Sequence, residues 1–186
     1  MMSVKWAKGY SQDELDDAQQ KFGLVFPPDL VALLRDRRPL EGHVWTDESA
    51  IRRALAWPFE GLLFDVEQND LWWPEWGTRP ASPNAREEIL RSVVSEAPKL
   101  IPLISHRYLP EKPHEQGNPV FSVYQSDVIY YGANLVDYFD REFLGFNHRP
   151  WTDPTKHIPF WSDLVKRNFN PDFRGRGRFS ARGVDE

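Results

Sequence analysis

There is no cysteine anywhere in the 186 residues. That absence removes disulfide-stapled scaffolds, thiolate zinc sites and thiol nucleophiles together, and it suits a reducing interior. Long apolar runs are missing too. No stretch is suited to spanning a bilayer, and the opening MMSVKWAKGYSQDEL lacks the apolar core of a secretion signal. The expected location is therefore cytoplasmic, with no membrane partner. Positive charge is in short supply: 23 Lys and Arg stand against 28 Asp and Glu, for a net charge of −5. This balance argues against direct nucleic-acid binding and favours a basic partner drawn in by long-range steering. G-x-S-x-G, a Gly-rich phosphate loop and H-E-x-x-H are all absent.

What is present is a chain with 40% hydrophobic and 14% aromatic residues, enough to bury a substantial core. Ser11-x-x-Glu14 has capping-box spacing, and Leu15, Ala18 and Phe22 give the helix after it an apolar stripe. Pro27-Pro28-Asp29 turns into a second helix carrying Leu30, Leu33 and Leu34. Asp47 caps a third with Ile51, Ala54 and Leu55, which Pro58 is expected to stop. Gly61–Val66 then reads as a strand. Ser82-Pro83 opens a long helix with Ile89, Leu90, Val93, Val94 and Ala97 inward, ended by Pro98. A last helix should carry Phe160, Trp161, Leu164 and Val165. From Asn170 onward, NPDFRGRGRFSARGVDE is Gly/Arg-rich with little to bury, and reads as a loose tail. Its arginines superficially resemble RGG-type RNA contacts, but Asp172, Asp185 and Glu186 nearly balance them.

The most informative segment lies between Lys99 and Gly132. Leu100–Ile104, Val120–Tyr124 and Val128–Tyr131 are β-type runs separated by loop and turn, and Asn134 opens a helix with Leu135, Tyr138, Phe139 and Phe143. An antiparallel meander flanked by helices defines an α+β fold. Ile101, Leu103, Val120, Phe121, Val123, Ile129 and Tyr131 are expected to serve mainly the fold, shared between its two faces. The wording here, Ile101-Pro102, His106-Arg107-Tyr108, Asn118–Val123 and Asp127–Gly132, resembles the SUKH superfamily of Smi/Knr-type proteins. Phe22-Gly23-Leu24 through Pro27-Pro28-Asp29-Leu30 looks like the entry to such a domain, and W-x3-WG-x-RP at Trp72–Pro80 resembles one bacterial subgroup. The resemblance covers about Ser11 to Asn168 and, with the tail read from composition, gives one SUKH-like domain over residues 1–169 and a tail over 170–186. It further implies a protein-binding surface and, in bacteria, toxin immunity, with no shared catalytic constellation.

Three groups of residues are candidate sites. Trp72, Trp73 and Trp76 lie within five residues, and indoles serve equally as binding anchors or as core. His106-Arg107 is a polar pair inside a β-run; it needs partners if buried, Asp65 or Asp127 among them, and is otherwise available for ligand contact. A hairpin could bring His106 to His114 as zinc ligands, yet Pro110, Pro113 and Pro119 restrict the loop and the spacing fits no metal motif. Asp65-x-Glu67-x-x-Asp70 offers carboxylates beside aromatics. Such a set suits sugar chemistry if correctly separated, an acidic rim facing a basic partner, or a solvated turn.

Together these assign no enzyme activity, no metal and no cofactor. They give a partner-binding surface of Trp72, Trp76, Arg79, His106, Arg107 and Tyr130, rimmed by Asp65, Glu67 and Asp70. The expected function is immunity: occlusion of a basic bacterial toxin domain, often a nuclease. The alternatives are a cell-envelope glycan binder or processor using the Trp/acid cluster, and a regulatory scaffold without a toxin.

Overall fold

Ser11 begins the first helix as its spacing requires. In the structure, a computed structural model describing residues 5–144, 154 and 156–169, its Oγ accepts from Glu14 N at 3.2 Å while Glu14 Oε2 accepts from Ser11 N at 2.7 Å. Helix α1 (Gln12–Phe22) ends at Gly23, whose φ of 61° a side chain would strain. Helix α2 (Pro28–Asp36) starts on its prolines. Leu15, Ala18, Leu30 and Leu34 are buried in one core. Two three-residue strands that the sequence did not reveal, β1 (Trp6–Lys8) and β2 (Arg37–Pro39), pair antiparallel beside them.

The third helix corrects the sequence reading. Asp47 does cap it, accepting from Ala50 N at 3.0 Å, but α3 runs unbroken from Glu48 to Gln68 with Pro58 inside it. Residues 61–66 are therefore helix, not strand. A proline within a helix leaves the carbonyl four residues back without its N–H, at a cost of roughly 3 kcal/mol. Here that carbonyl belongs to Ala54, and the buried Tyr108 hydroxyl donates to it at 2.8 Å. The sheet supplies the hydrogen bond that proline cannot. Gly61 allows the close approach: a Cβ there would lie 2.9 Å from Gln125 Cα.

After α4 (Pro83–Ser95), the meander has four strands rather than three. They are β3 (Leu100–Pro102), β4 (Arg107–Pro110), β5 (Val120–Tyr124) and β6 (Asp127–Gly132), in that order and all antiparallel. The run expected through Ile104 turns early. Arg107 N donates to Ile104 O at 2.9 Å and Ser105 takes φ 50°, so His106 sits in the turn and a short strand follows.

The register sorts the side chains by face. Leu109 and Ile101 are partners, as are Ser122 and Arg107, and these share a face with Val120 and Tyr131. Leu100, Tyr108, Phe121, Val123 and Val128 occupy the opposite face. The first face packs with Leu15, Leu30 and, from α5 (Leu135–Leu144), Leu135 and Tyr138. The second packs with Leu62 and Val66 of α3, Leu90 of α4, and Trp161 and Leu164 of α6 (Trp161–Phe169). An α+β architecture with the sheet between two helical layers results. Of the residues assigned to the fold, Ile101, Val120, Phe121 and Val123 are fully enclosed, whereas Ile129 and Tyr131 are half-buried. Asn168 of α6 donates from Nδ2 to the Ser126 and Val128 carbonyls, at 2.9 and 3.1 Å, along the outer strand β6. The tail read at 170–186 lies outside the described residues.

Candidate functional site

The three tryptophans bind chiefly one another. Pro74–Trp76 forms a single 3-10 turn that sets Trp72 edge-on to Trp76 at 5.4 Å and tilts Trp73 against Trp76 at 4.9 Å. Trp72 Nε1 donates to Gly77 O at 2.8 Å. Trp73 lies 5.5 Å from the Phe160 ring and carries the Arg167 guanidinium at 3.9 Å, while Arg167 also bonds Glu75 at 2.6 Å. All three indoles are half-buried against the second core. They fasten α6 to the loop after α3.

The acids assigned to a rim are mostly engaged inward. Asp65 is only 3% exposed and accepts from Ser126 N at 2.8 Å, from Ser126 Oγ, and from Asn69 Nδ2 at 2.6 Å. It pins α3 to the β5–β6 turn and cannot rim a surface. Glu67 accepts from Arg86 Nε at 2.7 Å and from Arg86 Nη2, and this guanidinium holds its carboxyl below the ordinary range. The supposed shared strand face of Asp65 and Glu67 does not exist, because residues two apart on a helix diverge. Asp70 alone is well exposed, 3.7 Å from Arg79. Arg79 Nη2 donates to Val66 O at 2.6 Å and so closes the last turn of α3.

Tyr130 and Arg107, placed on one surface by the sequence reading, belong to opposite faces of the sheet. Tyr130 stacks on Phe121 at 5.2 Å and donates to Ser162 Oγ at 2.7 Å beneath α6. Arg107 instead donates to Ser122 Oγ at 2.8 Å, covers the Tyr131 ring at 3.7 Å and lies 3.7 Å from Glu142. Neither Asp65 nor Asp127 is its partner. Beside it, burial and the Tyr131–Glu142 environment push the Tyr138 phenol up. His106 keeps its Nδ1 3.1 Å from Ser105 Oγ, and burial followed by the Arg107 charge lowers its pKa. His114 lies past the other end of β4 and bonds the Phe26 carbonyl at 3.1 Å. Among the described residues no group of three or more His, Asp or Glu is arranged to hold a metal ion.

What the structure does bring together is a surface the sequence reading missed. Trp57, Phe64 and Tyr124 are 41%, 50% and 54% exposed. Trp57, Glu60 and Phe64 form one outward stripe of α3 at i, i+3 and i+7. The Tyr124 ring lies 6.0 Å from Trp57, His106 stands edge-on to Tyr124 at 6.4 Å, and Asp127 is directly cross-strand from Tyr124. Trp57 Nε1 donates to Val123 O at 3.2 Å, which fixes the indole to the sheet. Large rings held open to solvent on rigid elements, with two exposed carboxylates beside them, are suited to macromolecular contact. The signal lay in α3 itself, which has more large apolar residues than one buried face accommodates. Reading Pro58 as a stop hid it. A separate concavity between α2 and Leu103, lined also by Trp45 and Phe139, measures about 20 Å3, room for little more than one water.

Compared with protein-family models, with curated proteins and with solved structures, the chain finds no match in any of the three. Among the described residues no helix is long and apolar enough to cross a membrane.

Proposed function

We propose that this chain is a protein-binding domain of SUKH type that acts as an immunity protein, occluding a bacterial toxin in the cytoplasm without turnover of its own. The observation that carries the reading is the exposed Trp57–Phe64–Tyr124 cluster. Burying apolar surface returns about 25 cal/mol per Å2, and aromatic residues on rigid supports dominate the energy of protein interfaces. The words from Ile101 to Gly132 that resemble the superfamily fall together on the four-stranded sheet. Ile101-Pro102 lies in β3, Arg107-Tyr108 in β4, Val120–Val123 in β5 and Asp127–Gly132 in β6. The partner surface is relocated from the tryptophan loop, whose rings are engaged with each other, to α3 and the β5–β6 turn.

A photo-crosslinking amino acid placed at position 124 in the producing cell tests this reading. A defined protein product, lost on Trp57→Ala and able to arrest growth unless this chain is co-produced, supports it. Crosslinks only to glycan overturn it. So does a yield no higher than that from an α1 surface position such as Gln20.

A further inference from the structure

Aromatic rings in this molecule are repeatedly covered by arginine. Among the described residues, guanidinium carbons stand over Trp6 (Arg37, 5.4 Å), Tyr10 (Arg38, 5.4 Å), Phe22 (Arg52, 5.6 Å), Phe59 (Arg91, 4.4 Å), Tyr131 (Arg107, 3.7 Å) and Trp73 (Arg167, 3.9 Å). Trp57, Phe64 and Tyr124 are more open than most of these, and no cation among the described residues covers them. Arg53, one turn before Trp57, is turned back onto Ser49 Oγ at 2.5 Å. Two exposed carboxylates border the rings, Glu60 within the α3 stripe and Asp127 opposite Tyr124.

We infer that the Trp57–Phe64–Tyr124 surface accepts arginine side chains from an arginine-bearing segment of the partner protein, rings taking the guanidinium faces and Glu60 and Asp127 their edges. The chemistry is that of a planar cation. A guanidinium is less strongly hydrated than an ammonium, stacks on an aromatic face, and still presents N–H donors at its rim to a carboxylate. The geometry supplies both halves within one patch. The Tyr124 ring and Trp57 indole are in tilted contact, at 59° and 6.0 Å, so a guanidinium would stack on an outward ring face rather than enter between them. Trp57 is held by Val123 O and the turn by Asp65, so a guest would meet a preformed surface. Selectivity over an acidic or neutral segment would come from Glu60 and Asp127, which repel the first and give the second no charge-assisted bond. This inference rests on the protein-binding reading and names the chemistry of what is bound.

The test needs no partner. The full chain, labelled with nitrogen-15, is titrated with a capped tri-arginine peptide and with its tri-citrulline counterpart, which keeps the shape and loses the charge. The expected result is saturable movement of the Trp57 indole N–H and of the Tyr124 and Asp127 amides with arginine and none with citrulline. Tyr124→Ala and, separately, Phe64→Ala should weaken binding about three- to tenfold. Both side chains are exposed, so the variants retain the fold. No saturable shift at Trp57 overturns the inference. Equal response to citrulline overturns it too, as do strongest shifts among the α1 acids. Crosslinking at position 124 that captures a protein while the titration is silent leaves the binding reading standing and removes only the arginine chemistry. Saturable tri-arginine binding without any captured protein does the reverse.

Discussion

Glu67 shows how one residue changes meaning once its partner is known. As a carboxylate beside tryptophans it suggested a rim; bonded twice to Arg86, it ties α3 to α4. Its pKa is depressed by that pair, so the folded form binds fewer protons than the unfolded one. The stabilisation is present above the ordinary value of 4.5 and is lost as pH falls through the lower folded value. Glu67→Gln should lower the thermal midpoint at neutral pH, with the gap to the unmodified protein closing on the acid side of pH 4.5. A gap that stays constant down to strong acid would show that the pair contributes nothing through charge. Local wording revealed the α1 capping box, because both bonds span three residues. It could not reveal Arg86, nineteen positions from Glu67, nor that Asp65 points inward.

At the scale of elements, α3 is continuous because a distant side chain completes it. Tyr108→Phe should cost about 1–3 kcal/mol in denaturant unfolding, since it leaves the Ala54 carbonyl buried and unpaired. In a Pro58→Ala background the helix regains its own N–H, and the same change should cost well under about 1 kcal/mol. Equal costs in both backgrounds would break the link between proline and tyrosine. Within the meander, Phe121→Ala should cost about 3–5 kcal/mol, because the ring is fully enclosed against Tyr130 and the second core; unchanged thermal stability would contradict that packing. The strands rich in Val, Phe and Ile were legible because their apolar residues record burial on both faces. The fourth strand was not. Arg107–Pro110 is short and ends in proline, so it read as the end of the preceding β-run rather than a strand of its own. The three-residue ribbon of β1 and β2, with Lys8 paired to Arg37, carries no apolar alternation at all. Pro58 misled because the stop rule is local, whereas Tyr108 lies 54 residues beyond the Ala54 carbonyl it completes.

For the whole molecule, charge placement governs how a partner would arrive. The net −5 is shared among many acids, but Asp65 and Glu67 are engaged internally, so the steering carboxylates beside the aromatic cluster are Glu60 and Asp127. With a captured partner, Glu60→Lys combined with Asp127→Lys should slow association at low salt and lose most of that effect at high salt, with dissociation less affected. An association rate unaltered across the salt series would take steering out of the account. The site was the least legible part of the chain for a plain reason. A ring's exposure depends on which helix face the core takes, and reading a stop at Pro58 left the second half of α3 with no helix face at all.

The amide of Asn168 also bears on how copies of this chain behave toward one another. Its two bonds occupy the Ser126 carbonyl in the β5–β6 turn and the Val128 carbonyl of the outer strand, at the edge where a further strand could pair. At the β6 edge, which α6 also covers, the guard this side chain adds is electrostatically simple: an N–H donor facing two oxygens. Asn168→Asp replaces that donor with a third acceptor, repels α6 from β6, and leaves the edge open to pairing. Sedimentation velocity should then show concentration-dependent oligomers with added β-structure by circular dichroism, while Asn168→Gln, which keeps the donor, should sediment more like the unmodified protein. Identical sedimentation of the Asp variant would mean that the bulk of α6, rather than this amide, keeps the sheet from growing.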